Sequence, residues 1–349
     1  MRVIITGATG NVGTSVLASL ATDSRVREIV GLSRRVPQAG FAKARFVAVD
    51  VTRDSLEEHF RGADAVVHLA WRIQSAHTPE ELERTNVEGS WRVFRAVAAA
   101  GVPVLAYSSS IGAYSRSDKF QPRDETWPTE GIPSSLYSRQ KARVERLLDE
   151  FEVMHRSIRV VRFRPALIFK RNAATHIRQL FLGPLPPRFL FDSRFLRWMI
   201  DHPDFRFQAV HAADVAEAFR VALFSDARGP FNLAADPVLD SDTLSKTFGA
   251  KKVTVRPALL RALVSAGFRL RLQPSDPGWI DLCFQSPILD TSRAKNVLGW
   301  QPAHTSIQAL LELLDGLRAG ASFATPPLSP HASPRVKKVS EGEAAKHVA

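Results

Sequence analysis

The first thirteen residues restrict the fold more than any other stretch of this chain. Val3-Ile4-Ile5 is a short, apolar, β-branched run of the kind that forms a buried strand. Thr6-Gly7-Ala8-Thr9-Gly10-Asn11-Val12-Gly13 follows at once, and a helical pattern runs from Ser15 to Leu20. Glycines at 7, 10 and 13 suit a strand–turn–helix unit that holds a pyrophosphate. Gly7 allows the tight turn, Gly10 lets the backbone approach the phosphates, and Gly13 lets the helix pack close to the strand. The helix N-terminus then faces the anion. The spacing differs from G-x-G-x-x-G, but its place between strand and helix implies dinucleotide binding through Gly7, Thr9, Gly10, Asn11, Val12 and Gly13.

Strand and helix signals then alternate to about residue 168. Strands are expected near 2–6, 28–33, 45–49, 64–69, 102–109 and 159–163, and helices near 11–21, 54–60, 80–100 and 135–155. This order implies an α/β fold: a Rossmann-like, doubly wound parallel sheet with helices on both faces. A length of 349 residues suits one such domain and a smaller region. The expected division is a dinucleotide-binding domain over 1–168 and a mostly substrate-binding region over 169–318. Sheet elements return in that region at 207–234, and a disordered tail runs over 319–349. From 170 to 206 the alternation breaks. Gly183-Pro184-Leu185-Pro186-Pro187 reads as a loop, flanked by Phe181, Phe189, Phe191, Phe195 and Trp198. The tail is rich in Ala, Ser and Pro and then mixed in charge. Asp50 is an expected cap for the helix at 54–60, and Asp214 for one at 215–224.

A second constellation carries chemistry. In Ser135-Leu136-Tyr137-Ser138-Arg139-Gln140-Lys141, a spacing of four puts Tyr137 and Lys141 on one helix face, one turn apart. An ammonium beside a phenol stabilises the phenolate. Bringing a tyrosine from its usual pKa of ~10 to near neutrality takes roughly 4 kcal/mol of such stabilisation. A tyrosine tuned in that way is a general acid and base for an alcohol–carbonyl pair.

Taken with the glycine loop, these residues resemble the extended short-chain dehydrogenase/reductase family, also called the NAD-dependent epimerase/dehydratase family. The likeness covers roughly residues 1–318. Thr6 to Gly13 matches the family's glycine motif, and Asp50-Val51 the acid placed on the adenine amino group. His68-Leu69-Ala70 matches the strand end lying along the cofactor, where Leu69 and Ala70 are expected contacts and His68 is assigned no chemistry. Asn86, in Thr85-Asn86-Val87, matches a structural and proton-relay asparagine. Tyr107-Ser108-Ser109-Ser110 matches the strand that ends in the catalytic serine; Ser110 aligns with that role, and Ser108 lies beside the cofactor. Arg164-Pro165 matches the segment lining the nicotinamide. The resemblance therefore implies Ser110, Tyr137, Lys141 and Asn86 as catalytic residues. Tyr137 and Lys141 also face the cofactor. Trp71-Arg72 departs from the small residues common after His68-Leu69-Ala70, which implies an unusual local wall.

The second strand ends Leu32-Ser33-Arg34-Arg35, with Ser33 where an NAD-binding acid is expected. Arginines there favour the 2′-phosphate of NADP over the free ribose of NAD. Ser110 is followed by Ile111-Gly112-Ala113, without the Asp-Glu pair of the family's dehydratases, so dehydration is disfavoured. The expected activity is a hydride-transferring oxidoreductase. The alternatives are a nucleotide-sugar epimerase that retains NAD and, in another class, a non-catalytic dinucleotide sensor or scaffold.

Composition narrows the setting. One cysteine, Cys283, leaves no internal disulfide framework and suits a reducing cytoplasm. No apolar run approaches the ~20 residues of a membrane span, and no metal-ligand spacing is present. Net charge is +12, and residues 156–206 contribute eleven Lys/Arg against three Asp. Such a basic half can attract an anionic substrate, or it can reflect a general arginine enrichment. No nucleic-acid motif accompanies the charge. The expected partner is a small-molecule substrate, with a nucleotide sugar among the candidates, and no nucleic acid or membrane is expected. A homodimer through the helices at 80–100 and 135–155 is the family expectation.

Overall fold

A computed structural model describes residues 1–74, 76–183, 191–192 and 197–329. Its centre is a sheet of seven parallel strands: β1 (Arg2–Thr6), β2 (Glu28–Ser33), β3 (Ala44–Ala48), β4 (Ala65–His68), β5 (Val104–Ser108), β6 (Arg159–Pro165) and β7 (Gly229–Leu233). Their order is β7-β6-β5-β4-β1-β2-β3, and every neighbouring pair is parallel. The order reverses between β1 and β4. The strand C-termini flank a crevice there, the place where open α/β sheets bind ligands.

Alternation along β1 shows how the sheet is buried on both faces. Val3 and Ile5 join one core with α1 (Asn11–Thr22), while Ile4 joins another. The second core takes α2 (Glu57–Phe60), and beyond α3 (Pro79–Glu83) it takes α4 (Gly89–Ala99) and α5 (Leu136–Met154). Val144, Leu148 and Phe151 of α5 are fully buried in it. Each such side chain contributes about 1.5–3 kcal/mol of transfer free energy. The later helices are α6 (Ala174–Phe181), α7 (Ala212–Leu223), α8 (Ser241–Phe248), α9 (Pro257–Arg269), α10 (Gly278–Gln285), α11 (Ser292–Leu298) and α12 (Ser306–Ala319). Of these, α7 joins α1 in covering the first face.

A buried ion network ties α5 to the sheet. Glu145 has no exposed side-chain surface and accepts from Arg162 Nη1 (2.9 Å), Arg164 Nε (3.0 Å), Arg164 Nη2 (2.9 Å) and Ser109 Oγ (2.5 Å). Burial alone would raise the Glu145 pKa. The two guanidiniums and the serine reverse that and bring it down to about 2.

Several expectations are corrected. The helix expected over 80–100 is interrupted by a π-helical turn at Arg84–Glu88, where the Asn86 side chain turns to the Arg72 backbone. The helix expected from 54 begins at Glu57, because Asp50 caps a tight turn instead. Its Oδ1 accepts from Thr52 N (3.0 Å) and Thr52 Oγ1 (2.8 Å). Asp214 does not cap α7; His211 does, through Ala213 N. Asp214 instead receives the backbone amides of Ala303 (3.0 Å) and His304 (3.1 Å), fastening the approach to α12. Residues 321–329, expected to be unstructured, are packed. Thr325 Oγ1 donates to Thr9 O (2.8 Å), Phe323 lies against Phe41, and Leu328 is buried. Polar low-complexity sequence hid these anchors. Pro184 to Pro187, Phe189, Phe195 and the tail from 330 lie outside the described residues.

Removing one partner of a buried ionic cluster strands the others. Glu145→Ala is expected to destabilise the fold by about 3–5 kcal/mol, read as a lower urea midpoint. An unchanged midpoint would show that the network is energetically idle.

Candidate active site

All seven strands are parallel, so their C-terminal ends share one edge, and the expected site residues gather along it. At β1, Gly7 has φ +70°, and a Cβ there would lie 2.6 Å from Ala70 N. A Cβ on Gly13 would lie 2.4 Å from Gly7 O. The turn therefore meets Leu69-Ala70 and the start of α1 backbone to backbone, which only glycine permits. Helix α1 has no side-chain cap at Gly10, so its first-turn amides remain free for an anion. The glycine cradle and these uncapped amides fit a dinucleotide pyrophosphate. Sequence reasoning missed a cation at the same place. Lys170 Nζ donates to Asn11 O (2.6 Å), Thr14 Oγ1 (2.6 Å) and Ser15 Oγ (3.1 Å), and burial lowers its pKa to about 8. Asn11 Nδ2 donates to Ile168 O, while Oδ1 is buried without a partner.

At the end of β2, Ser33 Oγ donates to Arg35 O (2.8 Å), shaping the turn. The Arg34 and Arg35 side chains are exposed and make no ion pair among the described residues. Arg34 lies within electrostatic reach of Asp50 and Arg72. The Val51 carbonyl is held by Arg92 Nε (2.9 Å).

Ser110 follows β5 and caps a short 3₁₀ turn at Ile111–Ala113, accepting from Gly112 N (3.0 Å). Its hydroxyl and the Tyr137 ring both lie against Gly112, close enough for Ser110 to favour the Tyr137 phenolate. Gly112 makes this approach possible: a Cβ there would lie 2.8 Å from Tyr137 Cε1. Two tryptophans flank Tyr137. Trp71 lies edge-on at 6.0 Å, and Trp279 of α10 lies at 4.9 Å, itself backed by Phe181. Gly278 lets α10 touch the start of α5, since a Cβ there would lie 2.6 Å from Ser134 O. Trp279 is far from Tyr137 in sequence, and no local pattern could have paired them.

The expected Tyr137–Lys141 couple takes a different form. Lys141 Nζ donates to Ser108 O (2.8 Å), sits 3.6 Å over the Trp71 ring and lies 6.0 Å from the Tyr137 ring centre. Burial raises the Tyr137 pKa to about 12, with the Ser110 hydroxyl pulling it back in part. Burial lowers Lys141 to about 7, against the pull of Glu145. In this arrangement the ammonium is engaged by a carbonyl and an indole face.

Asn86 is buried, and both its amide hydrogens are committed, to Arg72 O (2.8 Å) and Gln140 Oε1 (2.9 Å); Oδ1 accepts from Arg72 N (2.8 Å). This fixes the backbone beside Trp71 and leaves no donor for a proton relay. His68 is wholly buried between Thr6 Oγ1 (2.6 Å) and Ser90 Oγ (2.9 Å), and burial holds its pKa down at about 3. Pro165 ends β6 beside β7. Elsewhere, His211, His304 and Glu312 come together. His211 Nδ1 accepts from Ala213 N, which puts the ring proton on Nε2 facing Glu312 (3.1 Å). That arrangement is a hydrogen bond rather than a ligand set.

Comparison with known proteins agrees with this geometry. The family described as NAD dependent epimerase/dehydratase matches residues 3–234, and the chain belongs to that family. It is an enzyme family of the extended short-chain dehydrogenase/reductase type. A UDP-glucose 4-epimerase of Corynebacterium glutamicum is 26% identical over 335 residues, covering 89% of this chain and 94% of that protein. A sterol-4-alpha-carboxylate 3-dehydrogenase of Saccharomyces cerevisiae is 28% identical over 182 residues, covering 52% of this chain and 49% of that one. An uncharacterized protein of Mycobacterium tuberculosis is 27% identical over 315 residues; the match takes in 89% of this chain but only 29% of that longer protein. Among solved structures, MoeE5 in complex with UDP-glucuronic acid and NAD superposes with a TM-score of 0.66. It is 18% identical, with 92% of this chain and 100% of that one covered, a likeness of fold.

The Lys141 environment sets a pH dependence. The unfolded chain keeps this proton up to its ordinary pKa of 10.5, whereas the folded chain releases it from about 7. The unfolded state therefore binds more protons in that window, and stability rises with pH across it. Lys141→Met is expected to flatten the rise in urea midpoint between about pH 7 and pH 10. Lys119 and Lys170, both lowered to about 8 by burial, leave a residual slope. An unaltered slope would mean that Lys141 is not desolvated in solution.

Proposed function

We propose that this chain is an NAD(P)-dependent oxidoreductase that moves a hydride between the nicotinamide and the carbon of a substrate alcohol or carbonyl. The observation that carries the reading is the approach of Ser110 and Tyr137 to each other across Gly112, at the same sheet edge as the glycine cradle. When bound, the cofactor supplies or accepts the hydride at the nicotinamide C4. Tyr137 exchanges a proton with the substrate oxygen, and Ser110 orients that oxygen. Lys141 ties the end of β5 to α5, presents the positive charge of the bay and holds the nicotinamide ribose. Asn86 acts one step back, by fixing the backbone that carries Trp71. Gly7, Thr9, Gly10, Asn11, Val12 and Gly13 take the pyrophosphate; Asp50 and Val51 take the adenine. Leu69, Ala70, Ser108 and Pro165 line the nicotinamide half.

NADP is the favoured cofactor. Ser33 offers no carboxylate to a ribose, its hydroxyl is spent on the turn, and among the described residues Arg34 and Arg35 make no ion pair beside it. Trp71, Trp279 and Phe181 around Tyr137 favour a substrate less polar than a sugar at the reacting carbon. The second reading, a nucleotide-sugar epimerase with retained NAD, is supported by the likeness to UDP-glucose 4-epimerases. A sensor without turnover would have no use for the approach of Ser110 to Tyr137.

Tyr137→Phe is expected to lower kcat about 10²–10⁴-fold with cofactor Kd unchanged. Wild-type turnover in this variant would place the chemistry elsewhere. Replacing Arg34 and Arg35 together by alanine is expected to raise the Kd for NADP about ten- to hundredfold while sparing NAD. Equal effects on the two nucleotides, measured by titration calorimetry, would defeat the NADP reading. Chromatography of nucleotide released from purified protein separates the two reactions, since retained NAD marks the epimerase.

A further inference from the structure

Helix α9 is apolar on two opposite faces, yet none of its residues is buried. Its inner side is accounted for. Phe268 stacks on His77 at 3.9 Å, Val264 O receives Gln273 Nε2, and Arg261 pairs with Asp281 of α10. The other face carries Leu259, Ala262, Leu263, Ala266 and the C-capping Leu270, all exposed and spaced by three or four residues into one stripe. Leu259, Leu263 and Leu270 are 55%, 62% and 69% exposed, and Leu272, just past the helix, is 53% exposed. An outward leucine stripe of this kind marks a surface that meets something apolar.

The charge around the stripe identifies the partner. Between residues 251 and 272 the chain has Lys251, Lys252, Arg256, Arg261, Arg269 and Arg271, with no Asp or Glu. Lys252 and Arg261 are paired, but Lys251, Arg256, Arg269 and Arg271 are exposed and make no ion pair among the described residues. A second copy of the chain fits poorly, because a two-fold interface would set this cationic face against itself. The tail from 330 fits no better, with four Lys/Arg against two Glu. We propose that α9 lies in the surface of an anionic lipid bilayer, its leucine stripe among the acyl chains and its flanking arginines among the headgroups. The expectation of no membrane partner rested on the lack of a spanning run; among the described residues no helix is long and apolar enough to cross a membrane. A helix lying on the surface needs no such run. This proposal stands apart from the oxidoreductase reading, since binding to vesicles requires neither substrate nor cofactor.

The test is flotation of the full chain with phosphatidylcholine vesicles made with and without phosphatidylglycerol. Wild type is expected to float with the anionic vesicles and to be released by high salt. Leu259→Asp with Leu263→Asp should weaken binding at least about tenfold, with an unchanged melting curve because both side chains are exposed. Arg256→Gln and Arg269→Gln should each weaken it about fivefold. The proposal is overturned if wild type stays at the bottom of the gradient, or if the leucine variant floats as well as wild type. It is also overturned if deletion of 330–349, rather than the helix variants, abolishes flotation. Sedimentation showing a dimer that the leucine variant dissociates would assign the stripe to a second copy instead.

Discussion

Much of the site hangs on one buried carboxylate. Glu145 sits one turn beyond Lys141 on α5 and takes hydrogen bonds from Arg162, Arg164 and Ser109, which come from β6 and the end of β5. Burying three charges is costly, and their attraction offsets that cost only when every polar atom finds a partner. Here both Glu145 oxygens are satisfied, and among the cluster's side-chain atoms Arg162 Nε is left buried without a partner. Arg164 reaches on to Tyr114 Oη (3.0 Å), which donates to Asn232 Oδ1 on β7 (2.7 Å). Asn232 in turn donates to the backbone of Arg123 and Asp290. The chain of contacts fixes the rotation of α5 against the sheet, and with it the height of Tyr137 above Ser110.

The fold was legible because local rules governed it. Val3-Ile4-Ile5 reads as a strand buried on both faces, and Gly7 and Gly13 stand where any Cβ would strike backbone. The turn after β2 follows a local rule too, with Ser33 Oγ donating to Arg35 O. What escaped the sequence is set by contacts between distant segments. Nothing near Tyr137 announces Trp279, whose approach depends on Gly278 meeting Ser134. Spacing alone placed Lys141 beside Tyr137, but a flexible four-carbon stem goes where its charge is best solvated, here to Ser108 O and the Trp71 face. Asp50 and Asp214 were both read as helix caps, the commonest local use of an aspartate. One closes a turn and the other reaches across to the segment before α12.

One cause lies behind both shifted groups of the proposed proton-transfer couple. A low-polarity environment disfavours charge of either sign, so Tyr137 rises and Lys141 falls. Trp71 touches both side chains. It follows directly on Leu69-Ala70, against which the glycine turn closes. Asn86 secures it by gripping the Arg72 backbone on both its N–H and its C=O.

The distribution of positive charge also changes meaning in three dimensions. Residues 156–206 hold eleven Lys/Arg against three Asp, an excess open to two readings: attraction for an anionic ligand, or general arginine enrichment. Much of that charge is consumed inside the fold. Arg159 donates to the carbonyls of Ala222, Leu223 and Ala227, Arg162 and Arg164 neutralise Glu145, and Lys170, half-buried, donates to the start of α1. Arg171 is paired with Asp315. Among the described residues, Lys251, Arg256, Arg269 and Arg271 are instead exposed without an ion pair, beside the exposed Leu259, Leu263 and Leu270. Helix α9 packs on α10, the helix that brings Trp279 to Tyr137, and its Phe268 stacks on His77 in the loop that follows Trp71. The outward apolar stripe and the aromatic wall of the bay are thus joined through the two faces of one helix.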